Sequence, residues 1–115
     1  VEAGIARMAG FIEHLAEENG VDDVLQMTLG IADGESLYAV RYSTAGESRT
    51  LFHSASRDAT EEIAPEAGHF SRNARAIVSE PLSDLEEEWV PVPEATFVRI
   101  TKGDVSYQPF APIAP

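Results

Sequence analysis

The chain has 115 residues, of which 20 are acidic and 8 are basic, so its formal net charge at pH 7 is −12. This length fits one domain, and 43% hydrophobic with 24% charged residues is a globular composition, too apolar for an acidic disordered tail. The negative charge argues against partners such as nucleic acids or anionic membranes, which attract clustered Lys and Arg. The sequence contains no Cys, which excludes disulfides, thiolate metal sites and a cysteine nucleophile within these residues.

No apolar run approaches the ~20 residues that a membrane-spanning helix needs, and no charged-then-apolar leader opens the chain. We therefore expect a cytoplasmic protein with no membrane partner. The first residue is Val1 and not Met, which is compatible with a mature N-terminus, a removed segment or a fragment.

Residues 1–18 show the spacing of an amphipathic helix. Apolar side chains recur every three or four residues on one side: Val1, Ile5, Met8, Ile12 and Leu15, with Phe11 beside them. The acidic residues Glu2, Glu13 and Glu17 are expected on the opposite side. Asn19 and Gly20 tolerate the left-handed backbone of a helix end, so they predict its stop. A helix with one apolar stripe needs a second layer to cover that stripe.

The pattern changes to alternation from Leu25 onward. Residues 25–32 predict a strand with one apolar face, Asp33-Gly34 predicts a tight turn, and residues 36–42 predict the returning strand. Residues 95–101 and 104–108, joined at Lys102-Gly103, predict a second hairpin.

Two short strands are predicted between the hairpins, at residues 51–54 and 74–79. Residues 55–74 read as a solvated loop, and the acidic residues 83–89 precede an extended stretch that contains Pro91 and Pro93. Adjacent strands with short turns and one covering helix predict the α+β class, with mainly antiparallel strands.

The residues offer no self-sufficient active site. The three histidines, His14, His53 and His69, have neither the Gly-x-Ser-x-Gly turn of a serine hydrolase nor the spacing of a metal site. We therefore expect no metal and no cofactor. A small acidic enzyme using His53 or His69 is a weaker alternative, and Trp89 is either a stacking residue or part of the core.

Three segments, taken in order, resemble a known family. The hairpin around Asp33-Gly34 that ends in Arg41-Tyr42, the strand that ends in Ser79-Glu80-Pro81-Leu82, and the Trp89-Val90-Pro91-Val92-Pro93 stretch are similar to segments of class II glutamine amidotransferases. The closing hairpin around Lys102-Gly103 fits the same pattern. The likeness covers residues 1–110 and is greatest to the small stand-alone bacterial members of the family.

This resemblance implies an N-terminal-nucleophile (Ntn) hydrolase fold, a four-layer αββα sandwich, and a complete protein that acts as a glutaminase and transfers ammonia from its substrate glutamine to an acceptor. In the family the nucleophile is an N-terminal Cys that uses its own α-amine as the base. Val1 stands first here and the sequence has no Cys. We therefore expect residues 1–110 to be the C-terminal portion of such a domain, inactive alone, with residues 111–115 as a flexible tail.

Arg41, Ser79 and Glu80 are the substrate-binding candidates, at the rim of the pocket, within the matching segments. A structural role is the alternative: Ser79 and Glu80 would satisfy backbone groups at a strand end, and Arg41 would pair with an acid across the hairpin. No catalytic residue is expected in this chain.

The missing half of a sandwich leaves strand edges and an apolar face to be covered. The expected partner is the N-terminal half of the same domain or a second copy in a dimer. A non-catalytic structural or protein-binding module that kept the fold is the alternative function.

Overall fold

The computed structural model describes residues 1–56, 74–81 and 88–115. Its elements within these ranges are α1 (Glu2–Glu18), β1 (Gln26–Ala32), β2 (Ser36–Ser43), β3 (Phe52–Ser54), β4 (Ile77–Val78), β5 (Trp89–Pro91), β6 (Thr96–Thr101) and β7 (Asp104–Pro109). In the described residues, the order helix, hairpin, three short strands and hairpin confirms the predicted α+β class. Two of the short strands were predicted, and the third, β5, lies in the stretch that was predicted only to be extended. Most of the predicted loop at 55–74 and of the acidic segment at 83–89 lies outside the described residues.

The strands form two antiparallel sheets. The larger sheet has the order β1-β2-β6-β7, and the smaller one has the order β4-β3-β5. Both predicted hairpins are confirmed, since β1 pairs with β2 and β6 pairs with β7. The first turn is fixed by the Asp33 carboxylate, which accepts the backbone N–H groups of Glu35 at 2.9 Å and Ser36 at 2.8 Å. Gly34 has a φ of +93°, a conformation that side chains disfavour.

Alternation along the central strands β2 and β6 separates two apolar clusters. One face presents Tyr38, Val40 and Phe97 to the helix, and the other presents Ala39 and Val98 to the smaller sheet. Val40 and Val98 are both fully buried. The described residues therefore form three layers: α1, the larger sheet and the smaller sheet.

The buried face of α1 differs from the predicted one. The small residues Ala6 and Ala9 lie against the sheet with Ile5, and Ala16 is also buried. In contrast, Met8 and Leu15 of the predicted stripe are 45% and 41% exposed. Small side chains allow the helix backbone to approach the sheet closely, and this close fit rotates the longer side chains outward.

Glu13 was also expected on the solvent side, and that expectation is wrong. Its carboxylate accepts hydrogen bonds from the hydroxyls of Tyr42 and Thr44. Partial burial, together with the hydrogen bond to Glu13 and its charge, raises the pKa of Tyr42 to about 12. Tyr42 therefore stays protonated at neutral pH and donates to Glu13, which joins α1 to β2.

The segment after β7 crosses α1. Phe110 is buried in the cluster between helix and sheet, and the Ile113 N–H donates to the Ala6 carbonyl at 2.9 Å. A Cβ atom at Gly10 would overlap with the Ile113 carbonyl, so Gly10 is the residue that lets this segment lie against the helix. The tail predicted to be flexible over 111–115 therefore has an anchoring point at Ile113.

Two glycine substitutions in α1 test this crossing. We expect Gly10→Ala to destabilise the chain by about 1–3 kcal/mol, because the new methyl group displaces Ile113. Gly4→Ala, at a position with no heavy atom within 4 Å of the added Cβ, is expected to stabilise it by about 0.5–1 kcal/mol through helix propensity. Urea denaturation measures both. Removal of residues 112–115 should abolish the penalty of Gly10→Ala, and a penalty that persists would contradict the proposed contact.

Candidate functional site

Arg41 on β2 is the centre of a polar cluster, the Arg41 cluster, which consists of Arg41, Ser48 and Glu94. Its Nη1 donates to the Val92 carbonyl at 2.7 Å, and its Nη2 donates to the Ser48 carbonyl at 3.2 Å. Its Nε lies 3.1 Å from both the Ser48 hydroxyl and the Arg49 carbonyl. All three guanidinium nitrogens therefore have protein acceptors, and Arg41 ties β2 to the segments that follow β2 and β5.

Glu94 completes this cluster. Its carboxylate lies 3.7 Å from Nη2 of Arg41 and accepts hydrogen bonds from the Ser48 backbone N–H and from the Ser48 hydroxyl, the latter at 2.6 Å. Burial pushes the pKa of Glu94 upward, but the hydrogen bonds from Ser48 and the charge of Arg41 outweigh it and hold that pKa below its usual value. The carboxylate therefore stays ionised and paired at neutral pH. Arg41 pairs with an acid, but this acid is Glu94, which precedes β6, and not one across the hairpin of β1 and β2.

Ser79 and Glu80 follow β4 and are exposed. The Ser79 carbonyl accepts the hydroxyl of Thr50 at 2.9 Å. No hydrogen bond or ion pair joins either residue to Arg41, although all three belong to the described part of the chain. They are linked indirectly: Arg41 binds residues 48 and 49, and the next residue, Thr50, holds the strand end that carries Ser79. A role in substrate binding for these residues remains a prediction.

A cavity of about 250 Å³ lies where the two hairpin turns meet the segment before β4. Charged side chains of both signs, Glu35, Arg75 and Lys102, contribute to its lining. The sequence indicated both turns, but not that they meet, because that depends on the pairing of β2 with β6. The sequence does show a charged residue beside the glycine of each turn, and this is the pattern that could have indicated the cavity.

The two histidines in the described residues, His14 and His53, each have a protein partner. His53 is 4% exposed; its Nδ1 lies 2.9 Å from the Ser54 carbonyl, and its Nε2 contacts the Tyr107 hydroxyl. Because a carbonyl can only accept, Nδ1 carries the proton, and Nε2 accepts from Tyr107. His53 thus joins the two sheets. His14 pairs with Glu18 on the exposed side of α1, and His69 lies outside the described residues.

Other features of the described residues carry no chemistry of their own. Trp89 is 4% exposed and belongs to the interior. No group of three or more His, Asp or Glu side chains within the described ranges is arranged to hold a metal ion. In the part of the chain that the structure describes, no helix is long and apolar enough to cross a membrane.

Comparison with known proteins gives a match to a solved structure. No protein-family model matches the chain, and no curated protein does. Among solved structures, a glutamine aminotransferase class-II domain protein from Silicibacter pomeroyi matches with a TM-score of 0.77 and 24% identity, over 97% of this chain and 44% of that one. The likeness establishes the fold, and this neighbour matches the family that the sequence motifs indicated. The chain spans less than half the length of that neighbour.

Substitution of Arg41 by Lys tests the role of the Arg41 cluster. A lysine ammonium cannot reach the carbonyls of residue 48, 49 and 92 together, so we expect a loss of about 2 kcal/mol in the free energy of unfolding. Arg99→Lys, at an exposed position of neighbouring β6, serves as the matched control, with a loss below ~0.5 kcal/mol expected. Equal effects of the two substitutions would argue against a structural role for Arg41.

The lowered pKa of Glu94 predicts a pH dependence. A carboxyl group whose pKa is lower in the folded than in the unfolded chain stabilises the fold above its unfolded pKa, and this contribution is lost as pH falls through the folded pKa. Glu94→Gln should therefore lose less stability than the parent chain between pH 6 and pH 3. Urea denaturation across this range measures the difference. Parallel curves for the two proteins would contradict the prediction.

Proposed function

We propose that these residues are the C-terminal part of a class II glutamine amidotransferase domain, and that the complete protein hydrolyses glutamine and transfers the ammonia. The observation that carries the proposal is the structural match over 97% of the chain at a TM-score of 0.77. A shared fold by itself does not imply shared chemistry. The order of the motifs in the sequence is therefore a second, independent support for the proposal. The complete domain would be the four-layer αββα sandwich, of which three layers are formed here.

On this proposal, the 115 residues supply the scaffold and not the nucleophile. The family's reaction needs a thiol that attacks the side-chain amide, and the sequence contains no Cys. What the residues contribute is a larger sheet whose central strands, β2 and β6, are covered on both faces, together with the smaller sheet that contains β4. A nucleophile held by another segment would need such a rigid support.

Arg41 fits best as a positioning residue. Its hydrogen bonds fix residues 48 and 49, and the adjacent Thr50 holds the Ser79 carbonyl. Ser79 and Glu80 are exposed at the end of this connection, where a bound substrate can reach them. We propose them as rim residues of the glutamine pocket, with Arg41 acting through the loop and not by direct contact.

A non-catalytic module that kept the fold is the second candidate. Exposed apolar side chains on α1, among them Phe11 at 53% exposure, favour a binding role because they offer a surface to another protein segment. The complete reading frame distinguishes the amidotransferase from the non-catalytic module. A cysteine that becomes N-terminal upstream of Val1 supports the amidotransferase, and a frame without one supports the module.

Glutaminase assays test the proposal. We expect the purified 115-residue chain to release no glutamate from glutamine above the buffer rate, because it lacks the thiol. We expect the polypeptide encoded by the complete reading frame to release glutamate at a rate abolished by replacing its N-terminal cysteine. Glutamate release by the 115-residue chain alone would overturn the assignment, and so would a complete polypeptide that lacks activity.

A further inference from the structure

The helix α1 has a second apolar surface, on its flank. Met8, Phe11 and Leu15, here called the α1 flank, are 45%, 53% and 41% exposed. At ~100° per residue these three positions lie on one side of the helix, between its buried face and its outermost face. Arg7, His14 and Glu18 occupy the outermost face. The α1 flank therefore points sideways, along the helix layer.

The opposite side of α1 is already occupied. Ala6 and Gly10, roughly 200° around the helix from the α1 flank, are covered by the segment that follows β7 and reaches Ile113. Since that segment comes from the β7 side of the larger sheet, the α1 flank faces the other side, where β1 is the edge strand. Leu29 and Ile31 of β1 are only partly buried beneath it. The helix layer therefore ends in an apolar surface above β1.

The larger sheet also has an edge strand that can accept a further strand on this side. β1 is the end strand in the order β1-β2-β6-β7, and it contains neither a charged residue nor a proline along Gln26–Ala32. Natural edge strands carry such residues to prevent further pairing. β7, at the other edge, has Asp104 and Pro109. On the face of β1 toward the smaller sheet, Thr28 and Ala32 are also exposed.

We propose that a strand–helix unit from the remaining part of the same domain docks at this side: its strand pairs with β1, and its helix covers the α1 flank. The inference rests on the proposed function. Its support is that the helix layer and the larger sheet are incomplete on the same side, and that more than half of the structural neighbour lies outside the match, which covers 44% of it.

A second copy of the chain fits this side less well. Each copy carries a net charge of −12, so two copies repel one another over the whole surface. The α1 flank also faces along the helix layer and not away from the sheet. A strand that pairs with β1 and has its own covering helix would place that helix directly against the α1 flank.

Phe11→Gln tests the docking in two forms of the protein, the 115-residue chain and the polypeptide encoded by the complete reading frame. In the shorter chain the exposed ring contributes little, so we expect the unfolding equilibrium constant to change less than ~3-fold. In the complete polypeptide the ring is buried, and we expect a change of ~10-fold or more. Val21→Gln, at an apolar residue that is 51% exposed away from the α1 flank, is the control and should change neither form by more than ~3-fold.

Amide hydrogen exchange tests the strand pairing. We expect the backbone amides at the outer edge of β1 to exchange at least ~10-fold more slowly in the complete polypeptide than in the shorter chain, with β7 amides changed far less. Equal exchange of β1 in the two forms would overturn the proposal, as would a reading frame that adds no further segment. A dimer of the 115-residue chain that Phe11→Gln dissociates, seen by sedimentation equilibrium, would assign this side to a second copy and overturn it as well.

These outcomes are separable from those of the glutaminase assay. A complete polypeptide that shows the Phe11 and β1 effects without releasing glutamate would retain the docking and refute the amidotransferase assignment. One that releases glutamate without these effects would refute the docking alone.

Discussion

The pairing of β2 with β6, covered on both faces, is the constraint on which the rest of the structure depends. It joins residues 36–41 to residues 96–101 and fully buries Val40 and Val98. Because side chains alternate along each strand, one register sets which residues meet α1 and which meet the smaller sheet. A shift by one residue would turn β2 over, so that Tyr38 and Val40 would face the smaller sheet and Ala39 would face α1. Neither layer would then fit the side chains that it met.

Several polar contacts take their geometry from this central pair. Arg41 lies at the end of β2 and reaches the carbonyl of Val92 and the carboxylate of Glu94, which precede β6. The Tyr107 hydroxyl, one strand further along the sheet, reaches buried His53 in the smaller sheet. These groups form hydrogen bonds and an ion pair with one another where the layers meet, as partly buried polar groups generally do. Rigidity of this kind is what a nucleophile supplied by another segment would require.

The two edges of the larger sheet have opposite characters. The β7 edge has a charged residue and a proline, and the following segment crosses α1 to close the helix layer on that side. The β1 edge has neither residue, and the apolar α1 flank lies above it. The larger sheet therefore has one edge that is protected from further pairing and one that is open to it. The proposed docking at the open edge accords with the match to less than half of a longer structure.

The sequence by itself predicted most of the local elements and indicated a family through its ordered motifs. Asp33-Gly34 and Lys102-Gly103 form turns through short-range backbone preferences, and alternation identifies the strands beside them, so both hairpins could be predicted. The motifs in order indicated the family that the description of the structural neighbour names. The sequence did not determine which face of α1 is buried, because apolar residues occupy more than half of its circumference. Contact with the sheet selected Ala6 and Ala9 together with Ile5, since small side chains allow a close approach. The contacts of Arg41 with Val92 and Glu94 and the cavity at the hairpin turns were likewise decided only by tertiary structure, because they join residues that are far apart in the chain.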